Sequence, residues 1–169
     1  EGVDRSNVFT VRNVTDIVNL KKFVTDCQIQ DVAVVGGGFI GIEVAENLSM
    51  DGRHVSVIEA QDQIMAPFDY DMVQMLQKEL LDHGVDVIVN DGVSAIGEES
   101  ITLASGKEVK AGMTVLAIGA APETGLAKAM GLELGETGAI KVDHNYRTSD
   151  PDIYAVGDAI EVFTTLTHK

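Results

Sequence analysis

Apolar residues fall in short runs joined by stretches of helical spacing. Val32 to Val35 is a four-residue apolar run rich in β-branched side chains, the pattern of a strand covered on both faces. Ile40, Val44, Ala45 and Leu48 follow at helical spacing and share one face, and Asp51-Gly52 ends that helix. Val55 to Ile58 is a second apolar run. Upstream, residues 15–26 predict a helix capped by Thr15, with Ile17, Leu20 and Val24 on one face. Downstream, past a loop with Pro67, residues 69–83 predict another, with Met72, Leu76 and Leu80 inward and Gly84 as its stop. Val85 to Val89 predicts a third buried strand.

The periodicity then changes. Val93–Ile96, Ile101–Leu103 and Glu108–Lys110 are short and separated by Gly-Glu-Glu-Ser and Ser-Gly-Lys, which predicts a three-stranded antiparallel meander. Thr114 to Ile118 returns as an apolar strand ending in Gly119, residues 123–130 predict a short helix, and a turn-rich stretch leads past Pro151 to a last apolar strand, Ile153 to Val156. The class is α/β: a Rossmann-like fold with a central parallel sheet and a meander as its third crossover. An ordinary dehydrogenase alternates strands and helices through both halves, so the meander narrows the options.

The first strand–helix–strand unit carries chemistry. Gly36, Gly38 and Gly41 form G-x-G-x-x-G between strand and helix, and Glu59 ends the second strand. This is the sequence form of a dinucleotide-binding unit. Gly36 permits the tight turn, Gly38 lets the backbone approach a pyrophosphate, and Gly41 lets the helix pack on the strand. The helix starts near Gly38 and aims its free N–H groups at the phosphates, so the backbone N–H groups of Phe39 and Ile40 are expected contacts. The Glu59 carboxylate is placed to accept hydrogen bonds from the adenosine ribose and to repel a 2′-phosphate. No Arg or Lys follows before Lys78, so the expected ligand is NAD(H) rather than NADP(H). A glycine-rich turn in an ordinary α/β domain remains the plainer alternative.

Composition changes this picture little. At 169 residues one domain is the default, and 45% hydrophobic residues is ordinary for a globular chain. A net charge of −15 argues against nucleic acid and anionic membrane surfaces as partners. No apolar run is long enough to span a bilayer, no signal peptide is evident, and one cysteine provides no disulfide framework. A cytoplasmic setting is expected.

Three motifs give the chain a resemblance to the FAD-dependent pyridine nucleotide–disulfide oxidoreductases: Gly36 to Glu43, Val115 to Thr124, and Thr148 to Ala159 with its Tyr154-Ala155-Val156-Gly157-Asp158 core. The resemblance covers nearly the whole chain. It implies the FAD/NAD(P)-binding fold and the family's inserted NAD(H) domain, followed by the start of its returning FAD segment. On that basis residues 1–28 are a linker and entry helix, 29–122 the NAD(H)-binding domain, 123–145 a connecting segment and 146–169 the start of the FAD-domain segment. Asp158, after Gly157, inherits a contact to the FAD ribityl chain; read alone it is equally a turn or cap residue. Gly119 leaves room for a nicotinamide ring.

Gly157 to Val162 with Leu166 to Lys169 looks most like coenzyme A-disulfide reductases and NADH-dependent persulfide reductases. The implied cofactors are NAD(H) and FAD. The implied partner is a small-molecule disulfide or persulfide, met by a homodimeric parent enzyme. An NADH oxidase or peroxidase domain, or a non-catalytic nucleotide-binding module, stays open. The resemblance also implies that this is a fragment, because the family's first FAD glycine motif and redox cysteine are expected upstream of it. No catalytic residue and no metal site is expected. Cys27 has no CxxC partner, and His54, His83, His144 and His168 lack metal-ligand spacing. Arg53 is expected to be a solvated turn residue, Asp69 and Asp71 helix-start residues, and Glu98-Glu99 a solvated turn.

Overall fold

The computed structural model describes residues 1–119 and 121–162. Ala120, His168 and the motif from Leu166 to Lys169 lie outside them. The chain divides into two compact units, Glu1–Gly119 and Ala120–Lys169.

The first unit is a five-stranded parallel sheet in the order β1-β8-β2-β3-β4, made of β1 (Val8–Thr10), β2 (Asp31–Val35), β3 (His54–Ile58), β4 (Asp86–Ile88) and β8 (Met113–Leu116). Helices α1 (Val14–Asp26), α2 (Phe39–Met50) and α3 (Tyr70–Asp82) cover one face. Strands β5 (Val93–Ile96), β6 (Ser100–Leu103) and β7 (Glu108–Lys110) form the antiparallel meander on the other. Strand alternation sorts the side chains between the layers. Val32, Val34, Val55, Val57, Met113 and Val115 join Leu20, Val24, Ala45, Leu48 and Leu80 on the helix side. Ala33 and Ile58 join Ile96, Ile101, Leu103 and Val109 on the meander side. Burial on both faces explains why β2 reads as a continuous apolar run.

Three local expectations change. Residues 8–10, which the resemblance puts in the linker and entry helix of residues 1–28, form β1, which pairs with β8 from Val8–Thr114 to Thr10–Leu116. The cap of α1 is Asn13, not Thr15: its side chain accepts the Asp16 N–H at 3.0 Å, while Thr15 lies inside the helix. On α3 the inward face is Val73 and Leu80, with Leu76 packed beside them; Met72 points to solvent. Ile17 is also exposed.

In the second unit α4 (Gly125–Ala129) is followed by β9 (Ile140–Lys141) and β10 (Ile160–Glu161), which pair in parallel. The apolar run Ile153 to Val156 is not a strand; its one pairing is a bridge between Arg147 and Tyr154. Thr148 takes both chances to hold this stretch as a turn, its hydroxyl donating to Asp150 O and Ile153 O at 3.1 and 3.0 Å. Among the described residues no helix is long and apolar enough to cross a membrane.

Two features of the first unit yield testable stability effects. The Thr114 hydroxyl is fully buried in β8 and has no hydrogen-bond partner among the described residues. Thr114→Val keeps the branched shape and removes an orphaned polar group, so it should raise unfolding free energy by about 1 kcal/mol. Urea denaturation checks this: the midpoint should rise with the slope unchanged.

At the amino end of β2, Asp31 accepts from Lys110 Nζ at 2.8 Å and faces His54 Nδ1 at 3.4 Å. The Lys110 hydrogen bond, reinforced by the charges of Lys110 and His54, holds the Asp31 carboxyl below its usual range. A carboxyl whose folded pKa is depressed adds stability above its unfolded pKa and loses it as pH falls through the folded one. Asp31→Asn should therefore lower the melting temperature at pH 7, by less than about 1 kcal/mol of stability for so exposed a cluster. The difference from the parent should shrink as the pH falls below the ordinary carboxylate range and the Asp31 carboxyl protonates.

Candidate dinucleotide site

The carboxyl ends of β2, β3 and β8 lie side by side, at the point where the strand order reverses, with β3 on one side of β2 and β8 on the other. Open parallel sheets bind ligands at such reversals of strand order. Gly36, Gly38, Phe39, Ile40, Gly41 and Glu59 are gathered there, and Gly119 follows β8 at the same edge of the sheet.

Each glycine of the turn meets a different constraint. Gly36 has φ +107°, a left-handed conformation, and a Cβ on it would stand 2.4 Å from Ala117 O. Its N–H donates to Ile58 O at 2.8 Å, which locks the turn to the end of β3. A Cβ on Gly41 would stand 1.9 Å from Gly36 O, so α2 lies directly on the turn it leaves. Gly38 differs: nothing lies within 4 Å of its would-be Cβ. Open space above a glycine that caps a helix is what close approach of a ligand backbone needs.

The N-terminus of α2 is the second component. Gly38 is the N-cap and has no side chain to satisfy the first N–H groups. The first turn of the helix carries no acidic residue of its own either. Phe39 and Ile40 are exposed, and Phe39 stacks edge-on against Phe68 with ring centroids 5.8 Å apart.

Glu59 is the third. Its Oε2 accepts the Gly37 N–H at 2.7 Å and its Oε1 accepts the Gln61 N–H at 2.8 Å. Two donors fix the carboxylate, and each oxygen keeps lone-pair capacity for another. Asp91 is a backbone neighbour: its N–H donates to Glu59 O at 3.2 Å, while its carboxylate accepts from the Ser105 N–H and hydroxyl. The Asp91 carboxyl is held below its ordinary range, first by the Ser105 hydroxyl and then by backbone N–H groups.

The sequence pattern missed several supports. Gly37 occupies a position the motif leaves free, yet both its polar backbone groups are engaged. Ile64 and Met65 come from the loop read only as containing Pro67: Ile64 lies against Gly37 and the Met65 N–H donates to its carbonyl, and an apolar pair in such a loop was the available signal. Arg53 is also more than a solvated turn residue: its guanidinium pairs with Asp51 at 3.2 Å, with the side chain 19% exposed. It braces the end of α2 and is no phosphate ligand.

In the second unit Gly157 and Asp158 are both exposed, and nothing lies within 4 Å of a would-be Cβ on Gly157. Cys27 is free and exposed at the end of α1. No group of three metal-ligating side chains occurs among the described residues.

Residues 1–168 match the family model of the pyridine nucleotide-disulphide oxidoreductases. An NADH oxidase of Methanocaldococcus jannaschii is 37% identical over 99% of this chain and 38% of its own length. A coenzyme A disulfide reductase of Staphylococcus epidermidis is 34% identical over 90% of this chain and 35% of its own. The structure of an NAD-dependent persulfide reductase from A. fulgidus superposes with a TM-score of 0.94 at 34% identity, over all of this chain and 32% of that one. The chain thus spans less than two fifths of the length of these relatives. The parallel sheet with its antiparallel three-stranded meander agrees with these matches, and the chain belongs to the pyridine nucleotide-disulphide oxidoreductase family.

Proposed function

We propose that this chain is the NADH-binding domain of a flavoprotein disulfide reductase. One observation carries the reading: an uncapped helix N-terminus with open space over Gly38 stands beside a carboxylate already fixed at the end of β3. The first fits a pyrophosphate and the second a ribose diol. In this reading Gly36, Gly38 and Gly41, with the backbone N–H groups of Phe39 and Ile40, hold the pyrophosphate. Glu59 accepts from the ribose and its charge disfavours a 2′-phosphate. Gly119 leaves room for the nicotinamide, and residues 29–122 make up the nucleotide-binding part.

When bound, NADH supplies a hydride that FAD receives, and the electron pair goes on to a disulfide or persulfide. Gly157 and Asp158 fit the FAD role by chemistry: an exposed carboxylate after an uncrowded glycine can accept from a polyol. They belong to the returning segment, 146–169, reached through the connecting residues 123–145. The whole enzyme then acts on a small disulfide such as coenzyme A disulfide, as a homodimer in the cytoplasm, where a lone exposed cysteine stays reduced. The NADH oxidase relative favours a second reading, in which the same domain feeds electrons to oxygen.

Calorimetric titration of the chain with NADH and with NADPH tests the proposal. Saturable NADH binding, tighter than NADPH, is expected. No NADH binding, or equal or tighter NADPH binding, overturns it. Assay of the full-length enzyme with coenzyme A disulfide, a persulfide and oxygen separates the two electron-acceptor readings.

A further inference from the structure

Gly37 occupies the variable second position of G-x-G-x-x-G, where a dinucleotide site sets no demand for glycine. Here it is held on three sides. Its N–H donates to Glu59 Oε2 at 2.7 Å and its carbonyl accepts the Met65 N–H at 2.7 Å. A Cβ on it would stand 2.6 Å from Ile64 Cγ2, 3.0 Å from Ile64 Cβ and 3.2 Å from Ile64 Cα. Ile64 is fully buried. All three grips come from the segment between β3 and α3.

That segment is itself anchored. Glu59 N–H donates to Ile88 O at 2.8 Å, Asn90 N–H to Gln61 O at 2.8 Å, and Phe68 N–H to Met65 O at 2.9 Å. The Gln63 side chain donates to Phe68 O at 2.8 Å. The glycine turn is thus clamped by a braced loop, and the residue after the clamp is Gly38, the open cap of α2.

We propose that Gly37 and Ile64 are positioning residues: Ile64 and Met65 press the middle of the glycine turn against the Glu59 carboxylate, and this sets where the free N–H groups of α2 stand. The inference rests on the nucleotide-binding reading above and adds the part of the fold that sets affinity. A displacement of about 1 Å in a positioning element is enough to cost a large factor in function. The clamp also couples the two ends of the ligand. One carboxylate orients the turn through Oε2 and keeps lone pairs for a ribose, so phosphate and ribose subsites hold a fixed separation. A side chain at position 37 breaks that coupling without touching the ligand.

The test uses four variants of the chain, with NADH affinity by calorimetry and amide hydrogen exchange without nucleotide. Gly37→Ala should weaken NADH binding about tenfold, the factor expected for misaligned N–H donors. Ile64→Ala removes the gripping Cγ2 and should weaken it about fivefold and speed exchange of the Gly37 amide. Ile64→Val keeps Cγ2 and should restore both to the parent values. The double variant Gly37→Ala with Ile64→Ala should bind NADH better than Gly37→Ala alone, because the methyl gains the vacated space. That is non-additivity of the kind contacting residues show. Thermal unfolding confirms that each variant is folded, and Ile64→Val with Ile64→Ala decides the matter if Gly37→Ala does not fold. Parent-like NADH affinity in Gly37→Ala or in Ile64→Ala, or additive losses in the double variant, overturns the clamp. A parent chain that retains a protected Gly37 amide but binds no NADH overturns instead the nucleotide-binding reading on which the clamp rests.

Discussion

Glu59→Ala is expected to weaken NADH binding by about 30- to 100-fold and to narrow the preference for NADH over NADPH. A hydrogen bond to a charged acceptor contributes about 1.5–3 kcal/mol when its loss leaves the partner unsatisfied, and about 1.4 kcal/mol is a tenfold change in affinity. The ribose hydroxyls lose their acceptor in the variant. The Gly37 and Gln61 N–H groups lose theirs as well, which loosens the turn that holds the pyrophosphate. For NADPH the same substitution removes a repelling charge, so its affinity should fall far less. Glu59→Gln separates the contributions. An amide has one accepting oxygen, so its NH2 group must face either the Gly37 or the Gln61 N–H, donor against donor. It should lose nearly as much NADH affinity as alanine. Titrations of all three proteins with both nucleotides give the answer, and an unchanged NADH-to-NADPH ratio in Glu59→Ala would remove Glu59 from the ribose subsite.

Gly36→Ala should be the most damaging single change at the turn. At φ +107° an L side chain is strained wherever it sits. Here the new Cβ would also lie 2.4 Å from Ala117 O, a backbone atom pinned by the Ala117 N–H bond to Val35 O at 2.7 Å. Neither partner can rotate away, so strand β8 or the turn must move. Strain and displacement together should cost about 3 kcal/mol or more of folding stability. In protein that stays folded, NADH affinity should fall about 100-fold, since the turn carries α2 with it. Gly52→Ala is the control. Gly52 has φ +81° but open space around its would-be Cβ, and it lies at the far end of α2. It should cost about 1 kcal/mol of stability and leave NADH binding unchanged. Equal effects of the two substitutions on affinity would mean that the contact with Ala117 has no bearing on the site.

The local pattern of apolar residues was enough to read β2, α2 and β3, because strands covered on both faces read as continuous apolar runs and the helix buries one face at a period of 3.6. The meander was legible for the same reason, with polar turns marking each reversal. G-x-G-x-x-G and Glu59 were legible because their roles depend on backbone freedom and charge at set distances along the chain. Other features depended on partners far away in sequence. Residues 8–10 are a strand only because β8, more than a hundred residues later, supplies parallel hydrogen bonds; three residues carry no period of their own. Ile153 to Val156 has the composition of a strand, but Thr148 and Arg147 take its backbone groups into a turn and a single bridge. Asn13 rather than Thr15 caps α1 because the cap is set by where the chain leaves β1. On α3 the stripe begins at Val73, three residues before Leu76, rather than at Met72, four before it, a choice that helical spacing alone leaves open. The grip on Gly37 belongs here too. The motif leaves that position free, and only the return of the β3–α3 loop over the turn makes glycine necessary there, because a buried Ile64 side chain leaves no room for a methyl group.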